Sequence, residues 1–169
     1  MDAMHDQEAF RLAFRRLSAG VSVVTALTPD GEPVGFTATS LASLAADPPL
    51  ATFNMSRTSS SWVAVEQTDH VLIHILGARN RAAAHTMSLD AQLRFRGDHW
   101  ETGTHGLPQL RDVPAWMLAR VVGRYPVEES ALVVVRIEDG GFGEPDEPLL
   151  YHQREYRRLG DMVEDESPA

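Results

Sequence analysis

Apolar residues recur with helical spacing near the start of the chain. Phe10 and Phe14 lie four positions apart within a pattern that predicts an amphipathic helix over residues 7–18. Asp6 can serve as its N-cap, and Gly20 stands just beyond its end. The chain is therefore expected to open with a surface helix.

Two shorter helices are predicted further along. Ser59 or Ser60 can cap one that continues to Gln67, and the other runs from Ala78 to Met87. The N–H groups of a capped helix N-terminus attract anions, so the first of these helices is a candidate phosphate site.

The remaining apolar segments are short, rich in β-branched residues and separated by turns. Turns are predicted at 28–31 and 126–130, and a loop at 139–147. The predicted strands are Val21–Thr28, Val34–Thr39, Leu50–Met55, His70–Leu76, Ala115–Tyr125, Ala131–Glu138, Leu149–Tyr151 and Tyr156–Leu159. This organisation favours a mainly β fold, an antiparallel barrel with peripheral helices, over a doubly wound α/β sheet.

The length of 169 residues suits one domain. We expect residues 1–159 to form it, and we expect residues 160–169, which are rich in acids, to be a disordered tail. No apolar segment approaches the roughly 18 residues that span a bilayer, and the start of the chain does not resemble a signal peptide. A cytoplasmic protein is the default expectation.

Charge and composition exclude several kinds of chemistry. The formal net charge is −9, from 15 cations and 24 acids, which argues against general nucleic-acid binding or binding to anionic membranes. Every cation is arginine, so lysine Schiff bases are excluded, and the absence of cysteine excludes thiol nucleophiles, disulfides and thiolate metal sites.

The stretch from Gly35 to Ser61 is crowded with hydroxyl groups. Ten of its residues are Ser or Thr, and Arg57 stands among the last of them. Many uncharged donors beside one guanidinium suit a phosphate. Ser and Thr also satisfy backbone groups in ordinary turns, and composition alone favours this second interpretation over a phosphate site.

Two other motifs receive structural interpretations. His70 and His74 would share one face of a strand, but no third ligand is evident, so no metal site is predicted. The glycines at 140–145 do not fit the G-x-G-x-x-G pattern of a dinucleotide-binding turn, so no Rossmann domain is predicted.

Several blocks in order resemble the flavin reductase family, whose fold is the FMN-binding split barrel. The match covers Phe10 to Leu159, and its blocks are FRLAFRRLSAGVSVVT, GFTATSLASLAADPPLATF, SRTSSSW, RFRGDHWE, GLPQL, PAWMLARVVGRYP and PLLYHQREYRRL. The resemblance implies a homodimer of Greek-key split β-barrels with FMN or FAD in a groove near the subunit interface. It further implies hydride transfer from NADH or NADPH, and delivery of reduced flavin to a partner monooxygenase.

The resemblance also assigns residues to the flavin site. The isoalloxazine ring would lie along Thr37, Ala38, Thr39 and Ser40. The ribityl chain and phosphate would contact Asn54, Ser56, Arg57, Ser59 and Ser60, and Arg94 and Phe95 would close another side. His152 is the candidate for catalysis or for shaping the pocket.

One block departs from the family pattern. Members that use nicotinamide commonly show Gly-Asp-His where this chain has Glu128, Glu129 and Ser130. The missing His would lie near the flavin and the nicotinamide, so its absence bears on the hydride donor more than on flavin binding. Our hypothesis is that the flavin site is intact, while the donor preference is altered, weakened or supplied from elsewhere.

The alternative to a reductase is a protein of the same fold that holds FMN as a carrier or accessory subunit without efficient NAD(P)H oxidation. The altered triplet makes this alternative credible, although the reductase is the leading interpretation. No sequence feature favours a direct oxidase acting on a bound organic substrate.

Overall fold

A seven-stranded antiparallel sheet is the centre of the computed structural model, which describes residues 5–164. The neighbouring order in the sheet is β3-β2-β6-β9-β10-β5-β4. Its strands are Ser22–Leu27 (β2), Pro33–Ala38 (β3), Ala42–Ala46 (β4), Pro49–Ser56 (β5), His70–Ile75 (β6), Ala115–Val127 (β9) and Ser130–Phe142 (β10). The fold is thus mainly β, as the sequence predicts.

Smaller elements surround this sheet. The short strands Ala19–Gly20 (β1), Leu150–His152 (β11) and Glu155–Arg157 (β12) form a second sheet, and Trp100–Thr102 (β7) pairs with Pro108–Leu110 (β8). The α-helices are Asp6–Arg16 (α1), Trp62–Val65 (α2) and Arg81–Thr86 (α3). Short 3₁₀ turns occur at Ala78–Asn80, Ala91–Leu93 and Thr104–Gly106.

Side chains on the concave face of the large sheet form the main core. In β10 the residues Ala131, Val133 and Val135 are buried, while Leu132 between them is exposed. Val133 lies opposite Phe53 of β5, which is also fully buried. The alternation follows from the two-residue period of a strand, so one face of the sheet excludes water and the other remains available for contacts.

The barrel is split on one side. Within residues 5–164 the edge strands β3 and β4 do not pair with each other. Just after β3, the Ser40 hydroxyl accepts a hydrogen bond from the Asn54 N–H at 2.9 Å and lies 3.3 Å from the Asn54 carbonyl. This side-chain link connects the segment after β3 to β5 next to the open side of the barrel.

A second core lies on the outer face of β2. Val21 and Val23 pack there with Leu76 and Met87, so this strand is buried on both faces. Gly35 of β3 accommodates the close packing, because a Cβ at that position would come within 2.8 Å of the Met87 methyl group. The segment containing α3 is thereby fixed beside β3.

Two predicted boundaries at the start and middle of the chain are wrong. Asp6 is already inside α1, and His5 occupies the N-cap position without a side-chain bond. The Asp6 carboxylate accepts a hydrogen bond from the N–H of Gln7. The helix predicted over residues 78–87 is instead the 3₁₀ turn Ala78–Asn80 followed by α3.

Two stretches predicted as loops or left unassigned are strands. The strand β4 was not predicted, because all its residues are exposed and most are Ala or Ser. The strand β10 continues through Asp139–Phe142, which was predicted as a loop. The absence of a side chain at Gly141 makes room for Trp116, since a Cβ there would lie 2.6 Å from the Trp116 indole nitrogen.

The other predicted strands are confirmed, with boundaries shifted by a few residues. The turn between β9 and β10 is shorter than predicted, because Pro126 and Val127 still belong to β9. Residues 160–164 have no regular secondary structure, and the rest of the predicted acidic tail lies outside the described residues. Among the helices of residues 5–164, none has the length and apolar character needed to cross a membrane.

His74 joins three elements inside the structure. Its side chain is fully buried, its Nδ1 donates to the Val23 carbonyl at 3.0 Å, and its Nε2 accepts from the Leu110 N–H at 3.1 Å. Burial lowers the pKa of His74 from 6.5 to about 4, although the bond to Val23 acts in the opposite direction. Protonation would place a second N–H against the Leu110 N–H, so the neutral ring is the form that fits.

We predict that His74 makes the fold sensitive to acid. Its pKa is lower in the folded chain, so the unfolded chain binds more protons as the pH falls from 6.5 towards 4, and stability is lost in that window. The contribution is roughly 3 kcal/mol by linkage. A His74→Gln variant keeps a donor and an acceptor but cannot titrate.

Urea unfolding between pH 7.5 and 4.5 should therefore show a shallower loss of stability in His74→Gln than in the wild type. The control is His5→Gln, since His5 is exposed. Identical pH profiles for the wild type and His74→Gln would contradict the prediction.

Candidate functional site

A groove of about 450 Å³ lies at the open side of the barrel. The end of β3, the end of β5 and the start of β10 form it. Its lining residues are Phe36, Thr37, Ala38, Thr39, Ser40, Asn54, Met55, Ser56, Ser59 and Ser130. We call this cavity the groove.

Strand geometry explains why polar groups collect in the groove. Strand β3 is an edge strand, so one side of its backbone carries N–H and C=O groups that no neighbouring strand uses. In β5 the exposed Asn54 and Ser56 alternate with the buried Met55. Ser130 is the cross-strand partner of Ser56, so β10 adds another hydroxyl to the same end of the sheet.

The groove gathers most of the residues that the sequence assigned to a cofactor. Those lining it are Thr37, Ala38, Thr39, Ser40, Asn54, Ser56 and Ser59. Three others, Ser60, Arg94 and Phe95, line a separate cleft of about 60 Å³. Arg57 lines neither cavity, although it lies between Ser56 and Ser59 in the chain.

The serine-rich loop after β5 uses part of its hydroxyl groups locally. Ser56 Oγ lies 2.7 Å from Thr58 Oγ1 and accepts from the Thr58 N–H at 3.2 Å. Ser59 Oγ accepts from the Ser61 N–H at 3.2 Å. Ordinary turn chemistry thus accounts for some of these residues.

The predicted capped helix at this loop is wrong. The helix α2 begins at Trp62 and has only four residues. Ser61 occupies the N-cap position with helical backbone angles and makes no capping side-chain bond. Any phosphate near this loop would therefore depend on hydroxyl groups, loop N–H groups and Arg57 instead of a helix N-terminus.

Arg57 fastens the loop to the turn between β9 and β10. Its backbone N–H donates to the Glu129 carbonyl at 2.7 Å, and its Nη1 donates to the Glu128 carbonyl at 3.0 Å. A guanidinium has five N–H donors, so this contact uses only part of its capacity. None of the ion pairs within residues 5–164 includes Arg57.

The altered triplet divides between the turn and the groove. Glu128 has a left-handed backbone with φ of 51°, and both Glu128 and Glu129 are exposed. Neither glutamate lines the groove, whereas Ser130 does. A hydroxyl group therefore stands at the groove, and the two carboxylates lie outside its lining.

Arg94 joins the segment around Ala91–Leu93 to β3. Its Nη1 donates to the Gly35 carbonyl at 2.8 Å, and its Nε donates to the Leu89 carbonyl at 2.7 Å. Burial lowers the pKa of Arg94, and the nearby Asp90 carboxylate opposes that shift. The side chain is thus held by backbone carbonyls.

His152 lies away from the groove. Its Nε2 is 3.1 Å from the Arg16 carbonyl, which links β11 to the end of α1. The neighbouring Tyr151 instead lines a second cavity of about 400 Å³, which we call the side cavity. Its lining residues are Thr37, Thr39, His85, Ser88, Tyr151, Arg154 and Tyr156.

The sequence-based prediction assigned no role to Tyr151, Arg154 or Tyr156. They belong to the block PLLYHQREY, but only His152 was singled out there. The available signal was the pairing of aromatic residues with arginine in a short predicted hairpin.

His70 and His74 do not converge on a common point. His70 Nε2 lies 2.6 Å from Glu138 Oε1, and both ring nitrogens of His74 bond to backbone groups. Within residues 5–164 no group of three or more His, Cys, Asp or Glu is arranged to hold a metal ion.

The groove has the chemistry of a binding site more than of an acid–base site. Its volume falls within the range of about 300 to 1,000 Å³ that is common for small-molecule pockets. Hydroxyl, amide and backbone groups line it, and its lining contains no His, Asp or Glu. It can hydrogen-bond the polar edge of a planar ring, but it offers no side chain for proton transfer at pH 7.

A family model described as "Flavin reductase like domain" matches residues 14–160. The chain is 39% identical over 154 residues to an NADH:FMN oxidoreductase from Rhodococcus qingshengii, covering 88% of this chain and 80% of that protein. It is 29% identical over 139 residues to the reductase component of a flavin-dependent trigonelline monooxygenase from Acinetobacter baylyi, covering 82% of this chain and 45% of that longer protein.

The fold matches that of a solved relative. A crystal structure of a flavin reductase domain protein from Arthrobacter sp. FB24 superposes with a TM-score of 0.89 at 42% identity. The match covers 94% of this chain and 99% of that one. The split arrangement of the large sheet is therefore shared with a flavin reductase domain.

We predict that Arg94 contributes mainly to stability. Replacing it with Met removes the donors to the Gly35 and Leu89 carbonyls, and the expected cost is about 2 kcal/mol in the free energy of unfolding. Urea denaturation measures this loss. The matched control is Arg96→Met, because Arg96 is exposed and lines neither the groove nor the cleft. Equal midpoints for the two variants would show that the contacts of Arg94 do not stabilise the fold.

Proposed function

The chain belongs to the flavin reductase like domain family, and on that premise we propose that it is an NAD(P)H:flavin oxidoreductase that reduces FMN or FAD by hydride transfer. It supplies the reduced flavin to a partner monooxygenase. The observation that carries this proposal is the groove, where the split in the barrel brings Thr37–Ser40 against Asn54, Ser56 and Ser59. We further propose that residues 1–159 form one domain, which is consistent with the family match over residues 14–160.

The residues of the groove fit a flavin. An isoalloxazine ring needs donors and acceptors along its pyrimidine edge and little charge elsewhere. The end of β3, which no second strand covers, and the hydroxyl group of Thr39 can supply such groups. The apolar side chains of Phe36 and Met55 in the same lining suit the rest of the ring.

The phosphate of the flavin would lie towards the serine-rich loop. Ser56 and Ser59 line that end of the groove, and Arg57 stands between them in the chain. The Arg57 backbone N–H is bonded to the Glu129 carbonyl and its guanidinium to the Glu128 carbonyl, which restricts the side chain before a ligand arrives. A preorganised guanidinium binds phosphate with less loss of side-chain entropy.

A bound flavin supplies the redox chemistry of this site. The protein groups orient it, and the fixed dipoles of the β3 backbone favour negative charge at the pyrimidine edge without a lysine. The groove lining contains no titratable acid or base, so the residues act by positioning instead of proton transfer.

The altered triplet does not by itself block a hydride donor. Glu128 and Glu129 could repel the phosphates of a dinucleotide, but neither side chain lines the groove. Ser130 offers a small hydroxyl group in the groove. A changed donor preference therefore remains our hypothesis. Of the three altered residues, Ser130 is the one that lines the groove and could affect that preference.

Steady-state oxidation of NADH and NADPH with FMN or FAD as acceptor tests the proposed activity. We expect turnover with at least one donor and binding of FMN in a fluorescence titration. A protein that binds FMN but oxidises neither donor would be the carrier or accessory protein instead. A protein that neither binds flavin nor oxidises NADH would overturn the proposal.

We predict that Arg57→Ala weakens FMN binding by about 1.5 to 3 kcal/mol, as expected for a charge-assisted hydrogen bond to phosphate. This corresponds to roughly a ten- to hundredfold rise in Kd. Riboflavin is the control ligand, because it lacks the phosphate and its affinity should not change. An equal loss for FMN and riboflavin would mean that Arg57 acts by holding the loop.

We also propose that the protein is a homodimer. The exposed outer face of β9 and β10 carries Tyr125, Val127 and Leu132, with 57%, 62% and 38% of their surfaces accessible. Leu132 lies opposite Tyr125 on one side and Asn54 of the groove on the other. A partner on this apolar face would thus stand beside the groove.

We predict that the double variant Tyr125→Glu and Leu132→Glu is monomeric, because buried carboxylates would oppose association. Light scattering coupled to size-exclusion chromatography measures the mass. Met162→Glu is the control, since Met162 is exposed and outside this face. A dimeric double variant would place the interface elsewhere, and a monomeric wild type would contradict the homodimer itself.

A further inference from the structure

Three cavities adjoin in a row across one side of the molecule. The side cavity shares Thr37 and Thr39 with the groove. It shares Tyr151 and Arg154 with a third cavity of about 280 Å³ between α1 and the turn that joins β11 to β12. The lining of the third cavity adds Phe10, Arg11, Phe14, Arg15, Leu17 and Gln153. We call the side cavity and the third cavity together the trough.

The trough is a positive region on an acidic chain. Arg11, Arg15 and Arg154 line it, and the lining contains no Asp or Glu. The ion pairs found within residues 5–164 include none of these three arginines. The formal charge of the whole chain is −9, so this local excess of cations runs against the overall balance. Such a site attracts anions.

Aromatic side chains accompany the arginines. The rings of Tyr151 and Tyr156 pack edge to face with centroids 5.5 Å apart. The rings of Phe10 and Phe14 are 4.6 Å apart, and both side chains are exposed. Guanidinium groups beside accessible aromatic rings suit a ligand that combines phosphates with a flat base.

The turn that carries Arg154 has an uncommon backbone. Gln153 and Arg154 both have left-handed angles, with φ of 50° and 64°. A two-residue hairpin turn of this kind strongly prefers Asn and Gly. The chain instead places two long polar side chains here, and both line the trough. A strained conformation that directs side chains into a cavity is a reason to look for function there.

We propose that the trough binds the adenosine diphosphate portion of a dinucleotide whose reacting ring occupies the groove, with Arg154 as a phosphate contact. The order of the cavities matches the order of groups in such a molecule. The ring lies at the barrel opening, the diphosphate lies at the side cavity near Arg154, and the adenosine lies towards α1. This inference rests on the proposed function, and it gives the hydride donor an anchor that does not require the altered triplet.

The test uses two substitutions of Arg154 in the full chain. Arg154→Gln removes the charge. Arg154→Gly removes the side chain and also relieves the backbone, because glycine adopts a φ of 64° without strain. The matched control is Arg157→Gln, since Arg157 pairs with Glu155 and does not line the trough.

Calorimetric titration with ADP at fixed ionic strength measures the binding directly, without turnover. We expect both Arg154 variants to bind ADP at least tenfold more weakly than the wild type, and Arg157→Gln to be unchanged. No binding of ADP by the wild type, or equal affinities for the Arg154 variants and the control, would overturn the proposal. This result is independent of whether NADH is oxidised.

Two further measurements identify which dinucleotide uses the trough. If it is the hydride donor, Arg154→Gln should raise KM at least tenfold for NADH but not for reduced nicotinamide mononucleotide, which lacks the adenosine portion. If it is the flavin, the variant should raise Kd for FAD but not for FMN. Effects that do not distinguish NADH from the mononucleotide, nor FAD from FMN, would contradict the proposal even if ADP binds.

Discussion

The unclosed edge of the large sheet is the constraint on which the rest of the structure depends. Strands β3 and β4 are both edges, and an exposed edge must be covered, bridged or used. The Ser40 hydroxyl bridges part of the gap through Asn54, Arg94 bonds the Gly35 carbonyl of β3, and the end of β3 lines a cavity. The same strands thus form a closely packed core on one face and a polar opening at the rim of the barrel.

Arginine side chains fasten the loops around this barrel. A planar guanidinium can donate to several carbonyls at once, which an ammonium group does with less directional precision. Arg79, Arg94 and Arg124 each bond at least two backbone carbonyls. Their acceptors are the carbonyls of Asp112, Glu144 and Pro145 for Arg79, of Gly35 and Leu89 for Arg94, and of Val65 and Thr68 for Arg124. The exclusive use of arginine in this chain therefore has a structural role apart from its charge.

The strands with the densest β-branched sequence were predictable, and the elements held by their neighbours were not. β2, β6 and the first part of β10 follow from their own composition. β4 consists of exposed small residues and exists through its pairing with β5. The length of α2 was not predictable for the same reason. The sequence pattern permits a helix here, but tertiary contacts decide where it ends.

Seven of the ten residues that line the groove were assigned to a cofactor from the sequence, because they lie at or just beyond the ends of β3 and β5 and follow a family pattern. The trough was not predicted, since it depends on where α1 lies and on the backbone angles at Gln153 and Arg154. The sequence also did not predict that Ser59 and Ser60 line different cavities, because this depends on how the loop turns before α2.

The contact between Arg57 and the β9–β10 turn links two segments that are distant in the sequence. The turn ends at Ser130, and Arg57 donates hydrogen bonds to the carbonyls of the two residues before it, Glu128 and Glu129. Thermodynamic reciprocity then applies: a ligand that binds more tightly when this contact is formed must stabilise the contact by the same free energy. Substitutions at Glu128 and Glu129 that disturb this contact would consequently change the affinity for an anion bound at Arg57, although neither glutamate lines the groove.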